Sequence, residues 1–461
     1  MPGPIDKTGA SSINIEKLTE SDLPRTVISL AWPVVLEMTF FGLGSIINTI
    51  LVGRLGASSL AAVGLGQQVE FIPQVIFTAV NVGTLAIVSR HIGAGEVQAA
   101  NHTAGQSAIL AVIFGLLFLV PMWLYAEQAL ELLRARPDVV VLGAKYIRSI
   151  VLSMIPALIL TSGGAALRGA GNTKTPMIIM VVVTVFNIIF GYLLIYGGFG
   201  FPAMGVPGAG IAVSIARTIG ALAVITILVR GSGLLKYQIS SLLTIDFSEM
   251  RRIFRIGLPA GVEQIQLQGA MIIYTVLLSS LGTIVFAAHS VAMRIENLAF
   301  MPGFGFGIAA MTMVGQSLGA ERPELGEKAA YLAQKYAAIT MTVIGCFMFF
   351  FGRQIASLFI SDPEVIRLAT LYLQMWTLAM PMMGTSNALA GGLRGAGDTR
   401  WVLVIMTLSS WLVRLPIGFL LVMVFHLGPV GAWAAGIIDI NVRGVFIWMR
   451  FATGKWKGIK I

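Results

Sequence analysis

Charge and cysteine are both scarce in this 461-residue chain. Asp, Glu, Lys and Arg make up 11% of it against 56% apolar residues, and the mean hydropathy is +0.86. A soluble protein of this length and balance would carry more apolar surface than a core can bury, so water is excluded as its main solvent. Cys346 stands alone, which excludes an internal disulfide. The four His, at positions 91, 102, 289 and 426, do not fall at metal-ligand spacing, so no metal site is expected. The first 25 or so residues lack an apolar core, and they read as a polar tail rather than a cleavable signal peptide.

What the chain does have is a repeat. Leu167-Arg168-Gly169-Ala170-Gly171-Asn172-Thr173-Lys174 returns as Leu393-Arg394-Gly395-Ala396-Gly397-Asp398-Thr399-Arg400, an offset of 226 residues from Arg168 to Arg394. The same offset maps Pro33 onto Pro259, Glu37 onto Glu263, Leu55-Gly56 onto Leu281-Gly282, Glu70 onto Glu296 and Gly93-Ala94 onto Gly319-Ala320. Apolar stretches of about 20 residues, enough to cross about 30 Å of hydrocarbon, recur between short Gly, Pro and charged breaks. About twelve such spans begin at Val27, Leu60, Asn101, Val139, Thr175, Val206, Ile253, Ile284, Ala329, Ile366, Trp401 and Pro429. The expectation is an all-α membrane protein of about twelve transmembrane helices in two six-helix lobes. Because six is even, both repeats enter from the same side, which gives a parallel pseudo-two-fold relation. The expected domains are a tail (1–26), an N-lobe (27–230), a linker (231–252), a C-lobe (253–449) and a basic tail (450–461).

Orientation follows from the basic residues. The even-numbered loops carry Arg90, then Arg168 and Lys174, then Arg230, Lys236, Arg251, Arg252 and Arg255, then Arg322 and Lys328, then Arg394 and Arg400. Lys455, Lys457 and Lys460 follow in the tail. Both termini are therefore expected in the cytoplasm, and the net charge of +10 reads as topology rather than nucleic-acid binding.

An ionisable side chain deep in a span costs at least about 2.5 to 3.5 kcal/mol on insertion scales, which makes it a functional candidate. Glu37, Glu263, Glu70 and Glu296 qualify as ion-coupling acids and form two pairs at the repeat offset. If the halves pack face to face, each pair would stand on opposite walls of one cavity. Eleven residues of helix return to within about 20° of the starting direction, so Asn48, Tyr274 and Asn81 share faces with Glu37, Glu263 and Glu70. Gln264 and Gln268 stand beside Glu263, and Asn187 is the lone amide of the fifth span. These six are candidate cavity or substrate-binding residues. Competing structural readings exist for each group. Glu37 and Glu263 reach an interface by snorkelling, Glu70 and Glu296 pair with Arg148 or Arg217 and with Arg414 or Arg443, and the amides glue helices together. The Leu-Arg-Gly-Ala-Gly segments lack the strand and lysine of a nucleotide loop; they read as tight turns with Arg168 and Arg394 held at the interface.

The chain resembles the multidrug and toxic compound extrusion (MATE) family of secondary transporters. The resemblance rests on Val52-Gly53-Arg54-Leu55-Gly56 with Ala61-Ala62-Val63-Gly64, on Arg294-Ile295-Glu296 running into Phe300-Met301-Pro302-Gly303, on Val314-Gly315-Gln316-Ser317-Leu318-Gly319-Ala320, and on both Leu-Arg-Gly-Ala-Gly turns. It implies a non-enzymatic twelve-helix antiporter that exports organic cations in exchange for H⁺ or Na⁺, with no cofactor beyond that ion. With no targeting segment read in the sequence, a multi-pass plasma-membrane protein is expected, a monomer in the lipid bilayer with no nucleic-acid partner. Two positions depart from the family: Asn48 stands where many members carry Asp, and Gly191 follows Asn187 where an amino-lobe acid is common. Either Glu37 replaces those acids, or coupling lies in the C-lobe at Glu263 and Glu296, or transport is impaired. A lipid-linked oligosaccharide flippase of the same superfamily and a non-transporting scaffold are the remaining alternatives.

Overall fold

The computed structural model describes residues 18–238 and 244–461, and every extended regular element among them is helical. The first half runs α1 (Leu23–Gly53), α2 (Ala57–Gly93), α3 (Val97–Leu124), a short α4 (Ala126–Leu132), α5 (Pro137–Ile150), α6 (Met154–Gly169), α7 (Lys174–Tyr196) and α8 (Val206–Arg230). The second half runs α9 (Phe247–Ser279), α10 (Thr283–Gly319), α11 (Pro323–Ser357), α12 (Pro363–Trp376), α13 (Met380–Gly395), α14 (Thr399–Leu408), α15 (Leu415–Phe419) and α16 (Gly428–Ala452).

Ten helices among the described residues are long and apolar enough to cross a membrane, with Pro137–Gly169 counted as one span. Two further segments complete the set of twelve at the repeat offset: α9 answers α1, and α12 with α13 answers Pro137–Gly169. They fall outside the ten for local reasons. α9 carries Glu249, Arg251, Arg252, Arg255 and Glu263 together with three Gln, and α12 is separated from α13 by Thr377–Ala379.

The chain divides into two compact units, one of residues 36–258 and one holding 18–35 with 259–461. The division therefore cuts α1 between Val35 and Leu36 and α9 between Leu258 and Pro259. Close backbone approaches account for this membership. In the first unit a Cβ on Gly257 would lie 1.7 Å from the Ala79 carbonyl oxygen, and in the second a Cβ on Gly305 would lie 3.1 Å from that of Ala31. Ala31 and Gly257 are repeat partners, as are Ala79 and Gly305, so one helix contact is used twice.

The Leu-Arg-Gly-Ala-Gly segments end α6 and α13. Their first glycines permit contact with backbone, since a Cβ would lie 2.9 Å from Leu85 O at Gly169 and 2.2 Å from Met311 O at Gly395. Their second glycines turn the chain, with φ +84° at Gly171 and +88° at Gly397, where an L side chain is disfavoured.

The repeat is not uniform. In α8 the buried Gly208, Ala212, Val213, Ala216, Val224 and Leu228 match Gly431, Ala435, Gly436, Asp439, Ile447 and Phe451 of α16, so the offset there is 223 (208 to 431). α7 is continuous, whereas its counterpart holds two π-helical stretches, Ser409–Arg414 and Leu420–Val424. Single-turn π insertions concentrate at functional sites.

Candidate functional site

Glu37 and Glu263 occupy equivalent places in their own units, and each is bound by the arginine of the following glycine-rich turn. Arg168 Nη1 donates to Glu37 Oε1 and Oε2 at 2.8 and 3.1 Å, and Arg394 Nη2 donates to Glu263 Oε1 and Oε2 at 2.7 and 3.0 Å. The carboxylate side chains are 9% and 4% exposed, so these ion pairs are within the protein. This corrects the reading of Arg168 and Arg394 as interface anchors, because both turn inward onto a carboxylate that needs a cation. The turn glycines and the arginine thus work together: Gly169 and Gly395 bring the helix end close to its neighbour, and the arginine ties it to the lobe's first helix.

Glu70 is buried and pairs with Arg217 of α8, and Gln74 Nε2 donates to Glu70 Oε1 at 3.0 Å. Glu296, its repeat partner, is equally buried but is held differently: the Tyr372 hydroxyl donates to Glu296 Oε2. Arg414 and Arg443, the sequence-based partners for Glu296, converge instead on Asp439 Oδ2 at 2.7 and 2.8 Å. Ser409 also donates to Asp439, which is fully buried.

The remaining candidates sort by environment. A Cβ on Gly191 would lie 3.6 Å from Asn48 Oδ1 and 4.0 Å from Asn187 Oδ1, so the two amides flank one small space. The Asn187 and Asn81 Oδ1 atoms are buried without a hydrogen-bond partner. Tyr274 is buried, gives its hydroxyl to Ala432 O at 2.9 Å, and has the Arg414 guanidinium 5.6 Å from its ring centroid. Gln264 is half-buried and Gln268 exposed.

Gly418 meets Leu277 as Gly191 meets Leu51, so one residue has been inserted in this part of the second repeat (191 to 418). Asn187 and Arg414 each precede that glycine by four residues, which makes Arg414 the structural counterpart of Asn187. The amide pair Asn48 and Asn187 of one unit thus answers the pair Tyr274 and Arg414 of the other.

Sequence reading missed Asp439, Tyr372 and His289. Asp439 is the lone acid of α16, and its position near the middle of that apolar span was a usable signal. His289 stacks edge-on between Tyr274 and Tyr372, at 6.0 and 5.6 Å between ring centroids, with its Nδ1 buried and unpartnered. Nothing in its sequence neighbourhood announces this.

The family model described as MatE matches residues 33–193 and 259–420, one match in each half. The chain is 29% identical over 440 residues to a probable multidrug resistance protein NorM of Thermotoga maritima, covering 95% of this chain and 94% of that one. It is 26% identical to the multidrug resistance protein PmpM of Pseudomonas aeruginosa, covering 95% and 92%. Among solved structures, an outward-facing multidrug resistance MATE family transporter superposes with a TM-score of 0.87 at 24% identity, covering 94% of this chain and 97% of that one. A MATE protein in a bent conformation superposes with a TM-score of 0.86 at 24% identity, covering 95% and 99%. At these identities the structural likeness speaks for the fold.

Proposed function

Because the chain belongs to the MatE family, we propose that it is a secondary antiporter that exports organic cations by alternating access in exchange for protons. The observation that carries this reading is the set of four carboxyl groups buried inside membrane helices, Glu37, Glu70, Glu263 and Glu296, placed alike in both halves. Buried carboxyls are costly in a span, and a transporter gains from them by exchanging their charge state. A protonated carboxyl no longer holds a cationic substrate, so proton loading on the acidic side favours release and deprotonation on the other side restores affinity. Each pH unit across the membrane supplies about 1.4 kcal/mol per proton, and 100 mV supplies about 2.3 kcal/mol per charge. The relatives' names as multidrug resistance proteins support the substrate class. We place the chain in the plasma membrane as a monomer, and its loop charges favour both termini in the cytoplasm.

Sodium coupling is the second reading, favoured by the neighbouring Asn48 and Asn187 oxygens, which suit a hard cation. The experiment is efflux of a fluorescent organic cation from proteoliposomes under an imposed pH gradient and, separately, an imposed Na⁺ gradient. Efflux with the pH gradient alone supports proton antiport, and efflux with Na⁺ alone transfers the reading to sodium. No response from folded protein to either gradient refutes antiport in favour of a flippase or a scaffold.

A further inference from the structure

The two buried carboxyls Glu70 and Glu296 are repeat partners with unlike surroundings. Glu70 is fixed by Arg217 and Gln74. The structural counterpart of Arg217 is Ile440, at the offset of 223 that holds between α8 and α16, and the counterpart of Gln74 is Phe300. Both polar partners have thus been replaced by apolar side chains. Among the described residues Glu296 has no basic group within ion-pair distance, and Glu37, Glu70 and Glu263 each have an arginine.

The charged groups around Glu296 leave it in this state. Arg414, from the π-helical stretch, and Arg443, from α16, are both engaged by Asp439 at 2.7 and 2.8 Å. Tyr372 of α12 donates to Glu296, His289 of the same helix as Glu296 lies 5.6 Å from the Tyr372 ring, and Tyr274 of α9 gives its hydroxyl to backbone. An opposite charge in contact favours the ionised form of a carboxyl, and Glu296 lacks that contact while Tyr372 donates to it.

We propose that Glu296 is the group that binds and releases the coupling proton, with Tyr372 and His289 as positioning residues and Asp439 holding the two arginines away from it. This deepens the antiport reading and rests on it for its place in transport. The chemistry is a single reversible protonation: the Glu296 carboxylate takes H⁺ from water on one side and returns it to water on the other, and no other bond changes. His289 packs edge-on against the Tyr372 ring and so helps to fix the phenol that donates to Glu296.

Two readouts test this. In purified protein, the infrared difference between about pH 6 and about pH 9, a range in which exposed carboxyls with values of about 4 stay ionised, should contain a protonated-carboxyl band that disappears in Glu296→Gln and persists in Glu37→Gln and Glu263→Gln. In proteoliposomes, Glu296→Gln should lose pH-driven transport while still moving substrate down its own gradient. Tyr372→Phe should shift the midpoint of the pH profile upward by about one unit, a tenfold change in proton affinity. Ile440→Arg, which recreates the Glu70 clamp, should behave like Glu296→Gln. A carboxyl band that survives Glu296→Gln overturns the assignment even if transport fails for another reason. Retained pH-driven transport in Glu296→Gln overturns it as well. Absence of pH-driven transport in the unaltered protein refutes the proton-antiport reading, whereas the infrared result alone decides whether Glu296 binds and releases a proton.

Discussion

Arg394→Met should be among the most destabilising single changes in the second unit, and Glu263→Gln should largely reverse it. The Glu263 side chain is 4% exposed, and Arg394 supplies two hydrogen bonds to its carboxylate at 2.7 and 3.0 Å. Removing the guanidinium leaves a buried carboxylate without its hydrogen-bonded counter-charge, a loss of about 3 to 5 kcal/mol. Replacing both partners by neutral groups removes that penalty, because the pair's attraction mostly offsets the desolvation of its members. The single variant should therefore be several kcal/mol less stable than the double variant Glu263→Gln, Arg394→Met. The assay is thermal unfolding in detergent, read as a double-mutant cycle and repeated for Glu37 with Arg168. Near-additive effects, or a cost for Arg394→Met below about 0.5 kcal/mol, typical of surface sites, would refute the account of these pairs as buried and mutually dependent.

Gly395→Ala should impair folding severely, because its methyl would lie 2.2 Å from the Met311 carbonyl oxygen, and fluorescence size-exclusion of the expressed protein checks it. Gly171→Ala, at φ +84°, should cost about 1 to 2 kcal/mol, measured by its melting temperature. Trp456→Ala should cost about 3 to 5 kcal/mol, since the ring is fully buried and stacks 4.8 Å from Phe451; near-native melting would count against its being a structural anchor. The Asp246 carboxyl is held below the usual aspartate range by its bond to His102 and by the Glu249 and Ser248 amides. Its contribution is present above the unfolded value and fades as pH falls through the native one. Asp246→Asn should therefore cost under about 1 kcal/mol at neutral pH, discounted for its exposure, with the difference vanishing in acid.

The architecture was legible because lipid imposes its own code: spans must be long and apolar, and a repeat of 226 residues shows in glycines and prolines that backbone contacts require. The costly acids were legible for the same reason, since Glu37, Glu70, Glu263 and Glu296 stand out in apolar helices. Their partners were less so. Arg168 lies 131 residues from Glu37, and only the turn at Gly171 and the approach at Gly169 bring it inward. In the second half, a fixed offset pairs Arg217 with Arg443, but α16 has slipped to an offset of 223 and the helix before it carries π-helical insertions. Those shifts place Ile440 where Arg217 would be and Arg414 where Asn187 would be. Asp439 gathers the displaced arginines. Such small changes in register carry no hydropathy signal, so the difference between Glu70 and Glu296 emerges only in three dimensions.

The most direct test of proton antiport is to record substrate efflux and proton movement together in the same proteoliposomes, with one fluorescent cation and one pH-sensitive dye and no Na⁺ present. Proton antiport through Glu296 predicts that each burst of substrate efflux is accompanied by protons moving the opposite way, and that in Glu296→Gln the proton signal vanishes while substrate still moves down its own gradient. Substrate efflux by the unaltered protein that proceeds with no accompanying proton signal would contradict it.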